Sequence, residues 1–436
     1  MKILFVENRY RTFFWDIVAE RLEKKGHDIS WIVQNHLFLP KNGKCFVIQY
    51  YKKRKEKDNN CLHNFDDLVL SDRAINYYCH KDTSHYGYYY NQIKEIINNI
   101  KPDVVFGEIA AFHEFLTIKI CKENKILYLH PTTCRYPTGR FSFYKYNTLE
   151  PFGGSEEQMD DENVKQVINN ITERKTIPDY MKKKRITISV RITRLKELLT
   201  LSRSYFSGEH FNAPHPLTKI KIERKRKRLI SQWDKIAYGK SIGMETAFYI
   251  LYPMQMQPEA NLEVWGWKYR DQLATLKSLI ESTDDDIHIV VKPNPKSKYE
   301  LTDELLGYVQ KHPRIIPVVH EKTMKEVFQM VDMVVTVTGT IAIECILADK
   351  PVVTLVNTLN NIMSNCLFLD DFSDIMKYIN MVKEHRFPQS PEKEKIMFMN
   401  TICKSSYTGL PYKNVVNQDN IDHCILAFEN VLSIFH

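Results

Sequence analysis

Short apolar runs alternate with segments of helical apolar spacing in both halves of the chain, and this alternation constrains the fold more than any other feature. The run at 2–7 precedes apolar residues at helical spacing over 12–25, and further runs follow as far as 126–129. A second series begins at 247–252 and continues to 351–355. Because parallel strands connected by helices form a sheet that is covered on both faces, the pattern predicts an α/β protein with two Rossmann-like β/α domains.

The length of 436 residues fits two or three domains. We expect an N-terminal Rossmann-like domain at 1–154 and a C-terminal one at 241–420, facing each other across a cleft. Residues 155–240 are polar, weakly periodic and rich in basic runs, which predicts a helical basic insertion or linker. The helical pattern of 421–436 predicts a last helix that crosses back to the N-terminal domain. Ligands of such sheets bind outside the carboxyl ends of strands, so the candidate site residues are those that directly follow strands.

Composition and absent motifs exclude several classes of protein. No apolar run approaches the roughly 20 residues of a membrane-spanning helix. The N-terminal apolar run meets Arg9 and Arg11 too early for a signal peptide, and the nine scattered cysteines include no C-x-x-C pair, so we expect a cytoplasmic protein with reduced thiols. The absence of G-x-G-x-x-G and of a P-loop argues against dinucleotide dehydrogenases and P-loop enzymes. The acidic run at 284–286 lies at the wrong end of a strand for a metal, and we expect neither a metal nor a cofactor.

The sharpest chemical signal is the segment 336–355, in which a strand ends at Thr338-Gly339-Thr340 and a helix starts at once. Backbone N–H groups and hydroxyls at a helix N-terminus form an anion site suited to one phosphate. Glu344 lies four residues into the helix on the same face as Thr340, in position to accept hydrogen bonds from a ribose diol. The alternative is that Thr340 only caps the helix and that Glu344 is a solvated first-turn acid.

Three segments together resemble the capsule polysaccharide biosynthesis family, which includes β-Kdo transferases with the GT-B fold. They are the strand, loop and helix of 336–355, the run Y-P-M-Q-M-Q-P-E-A at 252–260, and V-K-P-N-P at 291–295. The resemblance covers residues 245–357 and is looser in the N-terminal half, where it rests on Glu108 and the run at 135–143.

The resemblance implies a GT-B glycosyltransferase whose C-terminal domain binds a nucleotide-sugar donor. The residues assigned to the donor are Gln257, Glu259, Lys292, Asn294, Thr338, Gly339, Thr340 and Glu344. Asn294 stands where the family loop normally carries His, and a neutral amide donates a weaker bond to phosphate than an imidazolium does, so Lys292 would supply the charge. For Gln257 and Glu259, the alternative is a turn with an exposed acid.

In the N-terminal half, Glu108 directly follows the strand at 104–107 and is the candidate catalytic carboxylate. A carboxylate there can act as a base toward an acceptor hydroxyl or as a nucleophile on an anomeric carbon, and the resemblance implies such a role. His113 is a second catalytic candidate, and Glu114 beside it is a candidate for acceptor binding. The alternative is that Glu108 is a helix-start acid favoured by the helix dipole. Further candidates to bind a sugar carboxylate or the acceptor are His130, Arg135 and Arg140.

The resemblance implies a glycosyltransferase of bacterial capsule or lipopolysaccharide synthesis with a glycan or glycolipid acceptor. The resemblance implies CMP-β-Kdo as the donor, whose single phosphate does not require a metal. The alternatives are a UDP-sugar-dependent GT-B glycosyltransferase, a sugar-nucleotide 2-epimerase and a non-catalytic scaffold of a polysaccharide assembly complex. The basic runs at 182–185 and 224–228 lack a nucleic-acid-binding pattern, so we expect no nucleic-acid partner. They form either a solvated helix face or a peripheral contact with anionic lipid at the inner face of the cytoplasmic membrane.

Overall fold

The computed structural model describes residues 1–52, 64–78, 80–179, 188–240, 247–412 and 417–435. The chain divides into two compact units, each built from segments that are distant in sequence. Unit 1 consists of Met1–Gln158, Pro178–Lys219 and Thr401–His436, and unit 2 consists of Met159–Ile177 and Ile220–Asn400. The predicted α/β class, with two domains built on parallel sheets, is confirmed.

Among the described residues, the sheet of unit 1 has seven strands. They are β1 (Lys2–Val6), β2 (Asp28–Val33), β3 (Lys44–Val47), β4 (Val104–Phe106), β5 (Leu127–Thr133), β6 (Arg140–Lys145) and β13 (Tyr407–Thr408). Their order is β13-β6-β5-β4-β1-β2-β3, with β1 to β5 parallel and with β6 and β13 antiparallel to their neighbours. The winding direction reverses between β1 and β4, and ligand crevices form at the carboxyl ends of strands at such a switch point.

The helices of unit 1 cover this sheet. They are α1 (Thr12–Lys24), α2 (Asp66–Ser71), α3 (Arg73–Tyr77), α4 (His85–Ile100), α5 (Phe112–Glu123), α7 (Ile188–Phe206) and α15 (Gln418–Ser433). An aromatic cluster forms the core: the Phe5 ring stacks on Trp31 and Phe106 at centroid distances of 4.9 and 5.6 Å. Phe428 of α15 lies 4.7 Å from Phe106. The last helix of the chain therefore packs into the N-terminal core.

In the described part of unit 2, the sheet has six strands, all parallel. They are β7 (Phe248–Pro253), β8 (Ile287–Lys292), β9 (Ile315–Pro317), β10 (Met333–Thr336), β11 (Val352–Thr354) and β12 (Cys366–Phe368). Their order is β12-β11-β10-β7-β8-β9. The strands are nearly continuous apolar runs because helices bury both faces of the sheet. The switch point of this sheet lies between β7 and β10.

The helices of unit 2 are α6 (Asp161–Thr172), α9 (Gln272–Glu281), α10 (Asp303–Lys311), α11 (Met324–Phe328), α12 (Thr340–Leu347) and α13 (Ile375–Lys383). A short π-helical turn, Asn261–Trp265, follows β7. Two more helices, α8 (Pro216–Tyr238) and α14 (Glu392–Lys404), contain positions at which the chain passes from one unit to the other.

The segment 155–240, predicted as a separate insertion, is divided between the two units. α6 belongs to unit 2, where it packs against α12 and buries Val164, Ile168 and Ile171. α7 belongs to unit 1. A helix with one apolar face must cover another element, and α6 does so by joining the core of unit 2. α7 instead leaves Leu195, Leu199 and Phe206 exposed.

The two basic runs fall in different parts of the chain. Residues 182–185 lie outside the described residues, and 224–228 lie on α8. In the second run, Arg226 donates to the Ser297 carbonyl at 3.1 Å, and Arg228 donates to Asp303 at 2.7 Å, so part of its charge is used within unit 2. None of the helices in the described ranges is both long enough and apolar enough to cross a membrane.

Candidate functional site

The carboxyl ends of β7, β8 and β10 lie side by side, because β7 pairs with both of the other strands. The segment 254–260 follows β7, 293–295 follows β8, and 337–340 follows β10. The topology therefore brings the predicted donor-binding residues to one edge of one sheet. That edge includes the switch point between β7 and β10, where a ligand crevice is expected.

Gly339, in the loop after β10, has a backbone conformation that other residues cannot adopt. Its φ is 61° and its ψ is 150°, a region that is essentially restricted to glycine. A Cβ at this position would lie 2.8 Å from Gln255 Nε2 and 3.3 Å from Thr336 Oγ1. The Gln255 amide donates to Thr336 Oγ1 at 3.2 Å and packs against the loop. Gln255 was not among the predicted site residues, although its position after β7 was an available signal.

The Thr338 side chain is the most informative group in this loop. The residue is 5% exposed, and its hydroxyl has no hydrogen-bond partner among the described residues. α12 starts at Thr340, and its N-cap is Gly339, which has no side chain to accept from the first-turn N–H groups. A buried polar group without a partner costs about 1–3 kcal/mol, whereas a helix N-terminus attracts anions. The loop therefore fits a ligand with anionic oxygens, such as a phosphate.

Glu344, on the first turns of α12, forms an ion pair that the sequence did not reveal. Arg174 Nη2 lies 2.7 Å from Glu344 Oε2, and the two side chains are 21% and 12% exposed. The Arg174 guanidinium also lies over the Phe328 ring, 4.7 Å from its centroid. Arg174 follows α6 and lies 170 positions before Glu344, so no local pattern pointed to it.

Lys292 ends β8 and is almost completely buried, at 3% exposed. Its Nζ donates to the His320 carbonyl at 3.3 Å. Burial lowers the pKa of Lys292 to about 8, and the carboxylates of Asp234 and Glu326 oppose that shift. A buried ammonium at the carboxyl edge of the sheet is suited to an anionic ligand, because an anion would replace the solvation that the group has lost.

The loop after Lys292 is fixed by a buried hydrogen-bond network. His320 Nδ1 lies 3.1 Å from Asp234 Oδ1, and His320 Nε2 lies 3.2 Å from Ser297 Oγ. Ser297 donates to the Asn294 carbonyl at 2.8 Å, and Asn294 Oδ1 accepts from the Lys296 backbone N–H at 2.9 Å. This order of Asp, His and Ser resembles a hydrolase triad. Ser297 is buried and its hydroxyl is engaged, however, so the network holds the loop.

Gln257 and Glu259 follow β7 as predicted, but their surroundings differ. Gln257 is buried, donates to the Arg270 carbonyl at 3.0 Å and accepts from Gln272 Nε2 at 3.0 Å. Glu259 is half-buried, and its carbonyl accepts from the Glu263 N–H at 2.9 Å. The Gln257 amide therefore braces the loop from inside. Only Glu259 presents a partly accessible side chain.

The switch point of unit 1 places Glu108 at the end of β4, where its carboxylate forms an ion pair with Arg11. Burial raises the pKa of Glu108, and Arg11 opposes that shift. Gly107 is required just before it, because a Cβ would collide with Tyr128, whose hydroxyl donates to the Glu108 carbonyl at 2.7 Å. Arg11 was not among the predicted site residues, although it lies in the segment that follows β1, as Glu108 lies in the segment that follows β4.

Glu114 is fully buried, and both of its oxygens are used within the protein. Oε1 accepts from Asn8 Nδ2 at 2.7 Å and from the Glu108 N–H at 3.2 Å. Oε2 accepts from the N–H groups of Ala110 and Ala111 at 2.9 and 2.8 Å. These bonds give Glu114 a structural role in holding the loop before α5, which differs from the acceptor-binding role predicted for it.

His113 is also committed to the protein. Its Nε2 donates to the Glu7 carbonyl at 2.8 Å, which leaves Nδ1 to accept from Asn212 Nδ2 at 3.3 Å. Burial lowers the pKa of His113 and favours this neutral form. His113, Asn212 and Arg73 line a cavity of about 60 Å³, large enough only for water. The imidazole therefore orients its neighbours and has no nitrogen left to exchange protons with a substrate.

The last three predicted residues lie around β5 and β6. His130 is buried, stacks on Tyr144 at 5.6 Å, and has its pKa lowered to about 4 by burial. Arg135 is half-buried in the loop between the two strands. Arg140 donates to Ser406 Oγ at 2.8 Å and to other groups of unit 1, and so ties β6 to the C-terminal segment. His130 and Arg140 are thus structural, and sequence gave no sign of this because β6 and β13 were not predicted.

A second cavity of unit 1, of about 580 Å³, shares Tyr78 and Phe211 with the small cavity beside His113. Its lining is rich in aromatic rings and imidazoles. They include Tyr51, Tyr78, Tyr205, Phe211, His210 and His215. Flat apolar faces with polar edges suit a sugar ring, which presents C–H groups on its faces and hydroxyls at its rim.

Across the described ranges, His, Cys, Asp and Glu side chains form no group of three or more that could hold a metal ion. A family model described as "Capsule polysaccharide biosynthesis protein" matches residues 157–363. The match extends upstream of the segments at 245–357 and includes α6, α7 and α8. No curated protein matches the chain.

Several solved structures are similar over nearly their whole length. The β-Kdo 2,7 transferase KpsC of Thermosulfurimonas dismutans is 9% identical, with 99% of each chain covered and a TM-score of 0.40. The UDP-GlcNAc 2-epimerase of Methanocaldococcus jannaschii is 13% identical, with 92% of this chain and 99% of that chain covered and a TM-score of 0.28. MurG of Acinetobacter baumannii is 8% identical, with 98% and 99% covered and a TM-score of 0.27. At TM-scores below 0.5, none of these likenesses identifies a substrate.

Proposed function

We propose that this chain, whose residues 157–363 match the capsule polysaccharide biosynthesis family, is a glycosyltransferase that uses a nucleotide-sugar donor and a glycan or glycolipid acceptor. The observation that carries this proposal is the loop after β10. It combines a buried Thr338 hydroxyl that lacks a partner with the glycine-capped N-terminus of α12. These are the properties of a phosphate site at a sheet switch point.

The donor that we favour is a CMP-sugar, with CMP-β-Kdo first. A CMP-sugar has one phosphate, and the loop at 338–340 offers one helix N-terminus for it. Glu344 lies one turn along α12, on the side where the ribose of a bound 5′-nucleotide would follow the phosphate. Lys292 adds a buried ammonium at the neighbouring strand end.

A UDP-sugar is the second candidate donor, and one observation favours it. A diphosphate carries more negative charge than a single phosphate and is better bound by two cations than by one. Arg174 lies beside α12 as a second cation in addition to Lys292, and it would have to leave its ion pair with Glu344 to bind a diphosphate. The number of phosphates in the donor therefore has to be decided by binding experiments.

In the proposed reaction, the bond between the anomeric carbon and the donor phosphate breaks, and the nucleotide leaves with the bonding electrons. A new bond forms to an acceptor oxygen, whose proton passes to a base. We assign Glu108 as the carboxylate of this reaction. If Glu108 first attacks the anomeric carbon, the product retains configuration; if it only takes the acceptor proton, the product is inverted. The aromatic cavity of unit 1 is the candidate site for acceptor sugars.

The test is thermal stabilisation by CMP, CDP, UMP, UDP and GDP. A ligand that binds only the folded state, at about 100 times its Kd, adds about 2.7 kcal/mol to the free energy of unfolding. Thr338→Val removes the unpartnered hydroxyl at nearly constant volume, so we expect the melting temperature of the free protein to stay the same or rise, and nucleotide stabilisation to fall.

The matched control is Thr283→Val, a buried threonine whose hydroxyl donates to the Leu279 carbonyl at 2.9 Å, at the other edge of the same sheet. It should lower the melting temperature and leave nucleotide stabilisation unchanged. Stabilisation by UDP alone would replace the CMP-sugar proposal with the UDP-sugar one. Turnover of a nucleotide sugar without any acceptor would favour a 2-epimerase, and the absence of all nucleotide binding would favour a scaffold.

A further inference from the structure

We propose that Arg174 is a positioning residue for the donor ribose, which holds the Glu344 carboxylate where it accepts a ribose hydroxyl. This inference rests on the proposed function. It concerns a residue that lies far in sequence from the strands of the site and reaches them because Met159–Ile177 belongs to unit 2. Arg174 is not expected to touch the reacting atoms.

The ion pair is a defined part of the structure. Arg174 Nη2 and Glu344 Oε2 are 2.7 Å apart, with both side chains mostly buried. Exposed ion pairs on a protein surface are worth little because water and salt screen them. A pair that is shielded from water keeps its geometry, so Glu344 has one preferred orientation before any ligand binds.

Two further contacts fix Arg174, one to its guanidinium and one to its backbone. The Phe328 ring lies 4.7 Å below the guanidinium, in the arrangement of a cation–π contact. Arg174 has φ of 57°, the left-handed conformation that ends many helices, and its N–H donates to the Ile171 carbonyl at 3.0 Å. Because α6 packs against α12, the turn after α6 that carries Arg174 lies next to the helix that carries Glu344.

The position of Glu344 on α12 suits it to bind the ribose of a nucleotide whose phosphate lies at the N-terminus of the same helix. Glu344 lies one turn along α12 from Thr340, so a phosphate at the helix N-terminus and a ribose beside Glu344 can belong to the same nucleotide. A carboxylate has about four lone-pair sites, so one that accepts from arginine still has capacity to accept from a hydroxyl. The ion pair with Arg174 holds the Oε2 side of the carboxylate and thereby sets the direction from which Glu344 meets a ribose hydroxyl.

The experiment compares nucleotides that differ only at the ribose 2′ position. Dissociation constants are measured by calorimetry for CMP against 2′-deoxy-CMP, and for UDP against 2′-deoxy-UDP. The wild type should bind the ribonucleotide of its preferred pair about tenfold more tightly than the deoxynucleotide, which is about 1.4 kcal/mol. Arg174→Gln should weaken the ribonucleotide to the level of the deoxynucleotide and leave the deoxynucleotide unchanged. Arg174→Lys, which keeps the charge without the planar fork, should restore part of the preference.

A double-mutant cycle separates positioning from a merely structural role. Glu344→Gln should remove the same preference, and combining it with Arg174→Gln should add little further loss. The matched control is Arg314→Gln, a mostly buried arginine of unit 2 that donates to the Ile280 carbonyl at 2.7 Å, at the other edge of the sheet. It should lower the melting temperature and keep the ribose preference.

Three results would overturn the inference. Equal weakening of both nucleotides by Arg174→Gln would mean that Arg174 acts on the phosphate or on the fold. An unchanged ribose preference in Arg174→Gln would mean that the ion pair is only structural. If the wild type binds none of the four nucleotides, the proposed function fails first and this inference fails with it.

Discussion

Each unit has a loop between a strand at the switch point of its sheet and the helix that follows. The polar groups of this loop are hydrogen-bonded within the protein in unit 1, whereas in unit 2 some of them have no partner among the described residues. In unit 1 the loop after β4 leads into α5, and the Glu114 carboxylate accepts from three backbone N–H groups of that loop. In unit 2 the loop after β10 leads into α12, whose N-cap is a glycine, beside the unpartnered Thr338 hydroxyl. One loop contains its own anion, and the other lacks one.

The comparison teaches how to separate structural from ligand-binding residues at strand ends. Position after a strand selects both loops, because ligands of doubly wound sheets bind there. The hydrogen-bond partners of their buried polar groups then distinguish the two loops, since a buried polar group nearly always has a partner in the protein, in water or in a ligand. Glu114 and His113 are satisfied by the protein. Thr338 is not, and for this reason the proposed nucleotide site lies in unit 2.

In the loop after β4, Glu108 is expected to be catalytic although its neighbours Glu114 and His113 are structural. Glu108→Gln should lower kcat by about 10²–10⁴-fold, the usual range for loss of a catalytic carboxylate. It should change the free energy of unfolding by about 1 kcal/mol or less, because its partner Arg11 is partly exposed. The measurement is nucleotide release from the donor selected by the binding panel, beside a thermal melt.

The control for this variant is Glu150→Gln, an exposed acid of unit 1 that pairs with Lys145. It should leave both kcat and the melting temperature within experimental error of the wild type. A Glu108→Gln enzyme with full activity would remove Glu108 from the reaction and leave unit 1 with no assigned catalytic group.

Glu114→Gln should show the opposite pattern, with a large loss of stability. The substitution keeps the shape but places an NH₂ group where a carboxylate oxygen now accepts from two N–H groups. With donors facing donors, we expect the free energy of unfolding to fall by about 3 kcal/mol. Nucleotide affinity of the remaining folded protein should be unchanged. Chemical denaturation with and without nucleotide measures both, and an unaltered denaturation midpoint would contradict the structural role.

Gly339→Ala tests the other loop through its backbone. Alanine is strained at φ of 61° and its Cβ meets the Gln255 amide, so we expect a loss of about 2 kcal/mol in the free energy of unfolding together with loss of nucleotide binding. Gly307→Ala is the matched control, because Gly307 lies in α10 with open space around it. That variant should gain about 0.5–1 kcal/mol and bind nucleotide normally. Equal behaviour of the two variants would show that the loop conformation is not special.

The sequence predicted the parallel strands and the residues that follow them, for a physical reason. Buried parallel strands are apolar runs ended by polar or glycine residues, and both signals are local. The loops at Glu108, Lys292 and Thr338 were found in this way. The same rule, applied to the polar residues after β1 and to Gln255 after β7, would have found more of the site.

What the sequence did not predict depends on contacts between distant segments. Arg140 looked like a ligand-binding arginine because its partner Ser406 lies 266 positions away, on the segment that forms β13. Arg174 looked like part of a basic linker because Glu344 lies 170 positions later. The role of each arginine depends on which distant segment of the chain packs beside it, and no local sequence pattern predicts that packing.

Raising the pH should change nucleotide binding and protein stability in opposite directions, because of Lys292. Its pKa in the folded protein is lowered from 10.5 to about 8. Between pH 8 and 10.5 the unfolded chain therefore binds more protons at this residue than the folded protein does, so the stability of the free protein should rise with pH across that window. Phosphate binding needs the ammonium form, so nucleotide affinity should fall about tenfold per pH unit above 8.

Melting curves from pH 7 to 10, with and without nucleotide, measure both trends, and Lys292→Met is the reference because it removes the titrating group. The variant should be more stable than the wild type near pH 7, where the buried charge is unfavourable, and its weaker nucleotide binding should no longer depend on pH above 8. If binding by the variant retained the wild-type pH dependence, Lys292 would not be part of the phosphate site. The anion of unit 2 would then be bound by the loop after β10 alone, through backbone N–H groups and the Thr338 hydroxyl, neither of which titrates in this range.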